Sequence, residues 1–206
     1  LAGKKYQEKK MNKRLPALIL GLMLLAGCGA APTTVQYYVI DPIAVTEVVD
    51  LEGRSVQVLD LKLPQYLERF QLSRRVGDNR LMFESNQQWG ENLRKNLYRT
   101  LARNLSGLLG TADLGTPISR SMAQPDYVIR VSLEAFEQGA DGRVQLAARY
   151  QVSKGDVLVT KDFESRVERD SGDRFSIMVA DMRDLFGELS MDIAETIRQM
   201  EGSHEE

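Results

Sequence analysis

Ten apolar side chains recur at helical spacing toward the end of the chain: Phe175, Met178, Val179, Met182, Leu185, Phe186, Leu189, Ile193, Ile197 and Met200. A stripe of that length is stable only when a flat apolar surface covers it. The sequence just upstream supplies one. Tyr127, Ile129, Val131, Leu133 and Ala135 recur at every second position, and Val144, Leu146, Ala148, Tyr150 and Val152 do so again. Period two marks strands with a buried face. Asp141-Gly142 and Lys154-Gly155-Asp156 supply tight turns. A third strand over residues 159–168, with Phe163 and Val167 inward, completes an antiparallel meander. A long helix over a meander confines the chain to the α+β class.

The residues before the meander add strands and one more helix. Residues 35–40 are β-branched and aromatic and stop at Asp41-Pro42. Residues 43–54 show no clear period and end at Gly53. Residues 55–63 read as a second strand, with Val56 and Val58 on one face and Leu59, Leu61 and Leu63 on the other, so that both faces are covered. Pro64 ends it. Residues 71–76 and 80–84 form a hairpin about Gly77-Asp78-Asn79. Ser85-x-x-Gln88 reads as a capping box, opening a helix with Trp89, Leu93, Leu97, Leu101, Leu105 and Leu108 on one face and stopping at Gly110. Residues 110–126 are rich in Gly, Thr, Ser and Pro and form a loop with room for one short edge strand. Asp170 or Asp173 caps the last helix, which runs to about Met200. The order β-β-β-β-α-β-β-β-α, without a βαβ rhythm, predicts a two-layer sandwich: a mainly antiparallel sheet with two long helices packed on one face. A single domain is expected over residues 35–201, followed by a polar tail over 202–206 that frays.

What precedes that domain is a processing signal. Lys13 and Arg14 introduce an apolar run over residues 15–26 that closes on Leu25-Ala26-Gly27-Cys28. About a dozen apolar residues are too few to span a bilayer comfortably. A basic start, a short apolar stretch, small residues and a Cys resemble the lipobox, which is cut before a cysteine that is then lipidated. Residues 1–27 are therefore read as an upstream extension, a start at Met11 and a lipoprotein signal peptide. Cys28 is the only cysteine, so no disulfide competes for it. The expected modification is a covalent diacylglyceryl group plus an N-acyl chain, because one chain alone binds a membrane marginally. Gly29 follows the cysteine. By resemblance to enterobacterial lipoprotein sorting, where Asp at that place favours the inner membrane, Gly29 points to the periplasmic face of the outer membrane. Residues 28–34 form a tether that reaches only about 20–25 Å.

The whole chain carries 27 Lys+Arg and 29 Asp+Glu. Six bases and one acid lie in residues 1–27, which leaves 21 against 28 and a net charge of −7. That balance argues against a nucleic-acid partner. The only histidine, His204, lies in the tail, which argues against a Ser-His-Asp or Cys-His device. No Cys/His cluster is present for a metal, and no phosphate-binding P-loop. No enzyme is expected, and no cofactor beyond the lipid on Cys28. Two surface stripes remain. Lys95, Arg99 and Arg103 are either a solvated helix face or a contact with an acidic partner or lipid phosphates. Ala180, Gly187, Met191 and Ala194 form a second stripe on the last helix. It either admits the first helix or another subunit at close range, giving a homo-oligomer, or merely tolerates small residues.

Short motifs in fixed order then suggest a family. Tyr37-Tyr38 lies in the first strand, and Leu63-Pro64-x-Tyr66-Leu67-x-Arg69 follows the second. Gln71, Arg75, Trp89-x-x-x-Leu93, Phe136, Tyr150 and Leu189-Ser190-x-x-Ile193-Ala194 complete the set. With the lipobox they span nearly all of residues 28–200. In this pattern the chain resembles the ABC-type transport auxiliary lipoproteins, the PqiC-like (YmbA-like) group. One departure is Phe70-Gln71-Leu72, where a more β-branched stretch is expected.

The resemblance implies an accessory role in lipid traffic across the two-membrane envelope. The partners implied are inner-membrane transporter subunits and a protein with MCE (mammalian cell entry) domains that forms a periplasmic tunnel. The lipoprotein would dock or receive that tunnel at the outer membrane. Pro64, Tyr66, Leu67 and Arg69 are then the candidate partner-binding residues, joining aromatic, apolar and cationic character where a strand ends. The competing reading is that Tyr66 and Leu67 plug the end of the sheet. The competing function is a structural lipoprotein that assists an outer-membrane assembly machine.

Overall fold

The computed structural model describes residues 34–45, 48, 51, 54–111, 114–115 and 125–202. The chain divides into two units, Leu1–Thr34 and Val35–Glu206. The processing signal, Cys28 and His204 lie outside the described residues. In chain order the elements are β1 (Gln36–Tyr38), β2 (Val56–Lys62), a 3-10 turn (Gln65–Glu68), β3 (Gln71–Gly77), β4 (Arg80–Trp89), α1 (Leu93–Leu108), β5 (Leu114–Gly115), β6 (Tyr127–Gln138), β7 (Val144–Lys154), β8 (Val157–Arg166) and α2 (Phe175–Gly202).

The strands form one mixed sheet in the order β1-β4-β3-β6-β2-β5, with β7 on β6 and β8 on β7. The longest ladders, β6–β7 and β7–β8, are antiparallel, as is β3–β4. β7 takes one edge of β6 along almost its full length. β2 runs parallel on the other edge, from Tyr127 to Ser132, and β3 joins that edge only at Arg74–Gln138. The two helices pack against this sheet, so the fold is the α+β sandwich that the sequence predicts. The apolar face of α2 is buried from Met178 to Met200, and Phe186 meets Phe136 of β6 at 6.0 Å between ring centres. Each such side chain stabilises the fold by roughly 1.5–3 kcal/mol relative to leaving it exposed.

Four local expectations are corrected. Leu59 is an extra residue in β2: the register with β6 shifts between Val58 and Asp60. The bulge turns Leu59 outward, 41% exposed, and puts Leu61 on the same core as Val56 and Val58. A second bulge between Leu133 and Ala135 hands the core position to Phe136, which is fully buried. Ser85 does not open a helix. Residues Gln87, Gln88 and Trp89 pair in parallel with β1, and that ladder outweighs the local capping pattern. The helix begins after Asn92, whose side chain accepts the Lys95 N–H at 3.2 Å. At α2 the Arg174 carbonyl accepts the first amides, while Asp170 accepts the Gly172 N–H and Asp173 holds Arg74 at 2.5 Å.

Between β1 and β2, residues 40–45 lie along α1 as an extended strap. Asn96, Thr100 and Asn104 sit one helical turn apart and are 2%, 2% and 1% exposed. Asn96 clasps Ile40 from both sides, accepting its N–H at 2.8 Å and donating to its carbonyl at 3.0 Å. Thr100 also donates to the Ile40 carbonyl at 2.8 Å, and Asn104 accepts the Ile43 N–H at 3.0 Å. Asn104 in turn donates to Ser190 of α2. Two helical glycines make room for the strap. A Cβ at Gly107 would lie 2.8 Å from Val45 Cγ2, and one at Gly187 only 2.4 Å from Ile43 Cγ2.

Candidate docking site

Pro64 ends β2 and leads into the 3-10 turn, because a residue without an N–H cannot extend the ladder. Leu67 N–H closes the turn on the Pro64 carbonyl at 3.0 Å. The turn drives Leu67 into the core, where it is 3% exposed. Tyr66 is half-buried and donates its hydroxyl to Glu137. Arg69 is exposed and lies over the Phe83 ring, 4.4 Å from its centre. Phe70 follows it, 56% exposed.

Glu137 is the residue that fixes this turn. Its carboxylate is completely buried, yet it accepts three hydrogen bonds: from Tyr66, from Arg75 Nε at 2.6 Å and from the Phe136 N–H at 3.0 Å. Burial of the Tyr66 hydroxyl, with the Glu137 carboxylate beside it, pushes the phenol well above its ordinary range, so it stays a donor. The hydrogen bond to Glu137 likewise raises the Arg75 guanidinium further. The arrangement is a lock on the turn. Beside it an open groove of about 460 Å³ is lined by Arg74, Arg75, Gln138, Gly142, Asp170 and Asp173. Its cations are already engaged, Arg74 by Glu84 and Asp173 and Arg75 by Glu137. Among the described residues no group of three or more His, Cys, Asp or Glu could hold a metal ion.

The structure thus separates the four residues chosen from sequence. Pro64 and Tyr66 shape the turn, Leu67 belongs to the core, and Arg69 alone is open to a partner. Sequence reasoning missed Glu137, Phe83 and Phe70 as parts of this site. Glu137 falls on the outward face of a strand, and only the folded-over turn buries it. The small-residue stripe of α2 is also divided. Ala180 is half-buried, Gly187 lies under Ile43 of the same chain, Ala194 is 3% exposed, and Met191 is 45% exposed.

The model of the family described as ABC-type transport auxiliary lipoprotein component matches residues 38–194. The chain belongs to that family. The match runs from β1 through most of α2 and so includes the turn, Glu137 and the strap. This auxiliary lipoprotein component therefore serves an ABC-type transport system. No curated protein matches the chain. Among solved structures, an uncharacterised protein is similar at 19% identity with a TM-score of 0.67, over 80% of this chain and 99% of that one. A DUF330-family protein from Xanthomonas campestris is similar at 14% identity and a TM-score of 0.58, over 84% of this chain and 98% of that one. Both show the fold. PelC from Paraburkholderia phytofirmans, a dodecamer, matches at 11% identity and a TM-score of 0.41, over 71% of this chain and 92% of that one. Among the described residues of the auxiliary lipoprotein, no helix is long and apolar enough to cross a membrane.

Proposed function

We propose that this lipoprotein is a non-catalytic accessory subunit of an intermembrane lipid transport system, anchored through Cys28 at the periplasmic face of the outer membrane. It docks or receives a tunnel of MCE-domain proteins whose other end meets the inner-membrane transporter subunits. The observation that carries this reading is the family match across residues 38–194. The turn supports it. Glu137 holds Tyr66 and Arg75 rigid, so Arg69 and Phe70 are presented at little entropic cost on binding. A second copy of the chain is a further partner in this reading, meeting α2 on its Met191 side.

The test is affinity purification of the lipidated protein from membranes, with mass spectrometry of what accompanies it. Recovery of an MCE-domain protein and transporter subunits is expected. Arg69→Glu is expected to lower that recovery by roughly tenfold, the scale of an interface anchor. Recovery of a β-barrel alone favours the assembly-machine reading. Unchanged recovery with Arg69→Glu removes the turn from the docking surface.

A further inference from the structure

One face of the domain joins apolar exposure to positive charge, and the first strand, β1, lies at its apolar part. Tyr37 and Val39 are 66% and 46% exposed. Both lean over Gly90 at the entrance to α1: a Cβ there would lie 3.3 Å from Val39 Cγ1 and 3.9 Å from Tyr37 Cβ. From this point the strap runs down α1, clasped by Asn96, Thr100 and Asn104. The residues just before those three are Lys95, Arg99 and Arg103, all exposed. The cations therefore flank the strap, and Asp41 of the strap acts on Arg99. Arg99 is paired with Glu91, whereas Lys95 and Arg103 enter no ion pair among the described residues.

We propose that Tyr37 and Val39, together with Lys95, Arg99 and Arg103, form a face that rests on the anionic phospholipid surface of the membrane holding Cys28. The proposal rests on the lipid-anchor reading of Cys28. Three arguments carry it. The face sets Lys95, Arg99 and Arg103 against Glu91 and Asp41 and so keeps an excess of positive charge although residues 28–206 carry a net charge of −7, which lets an anionic headgroup layer attract it. Tyrosine suits the boundary between headgroups and acyl chains, with its ring in the apolar side and its hydroxyl in the wet one. Tyr37 also lies nine residues from Cys28, within about 30 Å of even a fully extended chain. Because the strap is clasped at Ile40 and Ile43, the pair is fixed to the fold and does not swing with the tether. The membrane then sets the orientation of the whole domain, with α1 lying near the surface.

The experiment uses the lipidated full-length protein in vesicles of phosphatidylcholine with or without phosphatidylglycerol. A spin label is placed through Val39→Cys or, on β8, through Leu158→Cys, which is 56% exposed in the native residue. The thiol of Cys28 is consumed by lipidation, so each label has one site. In phosphatidylglycerol vesicles the Val39 label is expected to be relaxed by oxygen and shielded from an aqueous nickel chelate. The Leu158 label is expected to behave as a water-exposed one. The double variant Lys95→Glu with Arg103→Glu is expected still to float with the vesicles while its Val39 label returns to water. Each lost cation weakens docking by about fivefold. A floating protein whose Val39 label is as wet as the Leu158 label overturns the proposal but leaves the anchor. So does a Val39 label shielded from both relaxants, as a protein partner or second copy would make it. Failure to float overturns the anchor and this face together.

Discussion

The strap and the long helix α2 are held on the same domain by opposite means. α2 is sealed by apolar side chains with near-zero exposure, from Met178 through Phe186 to Ile197. The strap buries few large side chains and is fixed by the buried amides and hydroxyl of Asn96, Thr100 and Asn104. The Pro64 turn follows the strap's logic, with Glu137 as its buried polar group. Apolar burial is strong and non-directional, so it fixes the layers. A buried polar group is worth less in net terms but costs much when unsatisfied, so it fixes one path of the backbone.

The largest effect should come from breaking the apolar side of this contrast. Phe186 is fully buried against Phe136. Phe186→Ala removes its contacts and leaves a cavity, and is expected to cost about 3–5 kcal/mol in denaturant unfolding. Next comes Glu137→Ala, which strands Tyr66 and the Phe136 N–H. Arg75 is a third exposed and regains water, which limits the loss to about 2–3 kcal/mol. The sharper readout is local. Hydrogen exchange should rise across residues 64–70 before it rises in β6 and β7. Uniform acceleration would show that the turn is not held by Glu137 in particular.

Asn96→Ala tests the strap alone. It removes both clasps on Ile40, while Thr100 still donates to the Ile40 carbonyl. The expected cost is about 1–2 kcal/mol, with exchange raised at residues 40–45 and α2 unaffected. A loss as large as that of Phe186→Ala would mean that the strap is part of the core and not a polar addition to it.

The same division explains what could be seen in the sequence. β6, β7 and α2 were legible because their burial has the period of their own element, two or 3.6. Trp89, Leu93, Leu97, Leu101, Leu105 and Leu108 all lie in the core, although Trp89 ends a strand and the others belong to α1. The bulges at Leu59 and near Ala135 slip that period by one residue, and no local pattern announces them. Ser85 and Gln88 imitate a helix start, but both lie in β4, whose last residues, Gln87 to Trp89, pair with β1, distant in sequence. The strap left no periodic trace at all. It is held through its own backbone groups, which bond to side chains of α1, and its Val45 and Ile43 side chains fit notches at Gly107 and Gly187. In the candidate site Arg69 was visible as an exposed cation. Glu137 shares the odd-numbered parity of the inward residues Tyr127 to Ala135, and only the bulge before it moves it to the opposite face, where the turn closes over it.

The smallest effect should come from the same polar chemistry moved to the surface. Glu195 accepts hydrogen bonds from Arg198 and from Gln199 on the outside of α2, and its side chain is 40% exposed. The guanidinium beside it lowers its carboxyl from 4.5 to about 2. A carboxyl lowered on folding adds stability that is fully present above the unfolded value near 4.5 and is lost as the pH falls through about 2. Solvent screens this group, however, so most of that apparent stabilisation does not reach the folding equilibrium. Glu195→Gln is therefore expected to shift the unfolding midpoint at pH 7 less than Asn96→Ala does. It should slightly flatten the fall in stability between pH 4.5 and 2, and salt near 1 M should erase the difference. The check is a set of urea titrations across that pH range with and without salt. A loss at pH 7 equal to that of Asn96→Ala would mean that burial is not what gives the strap contacts their weight.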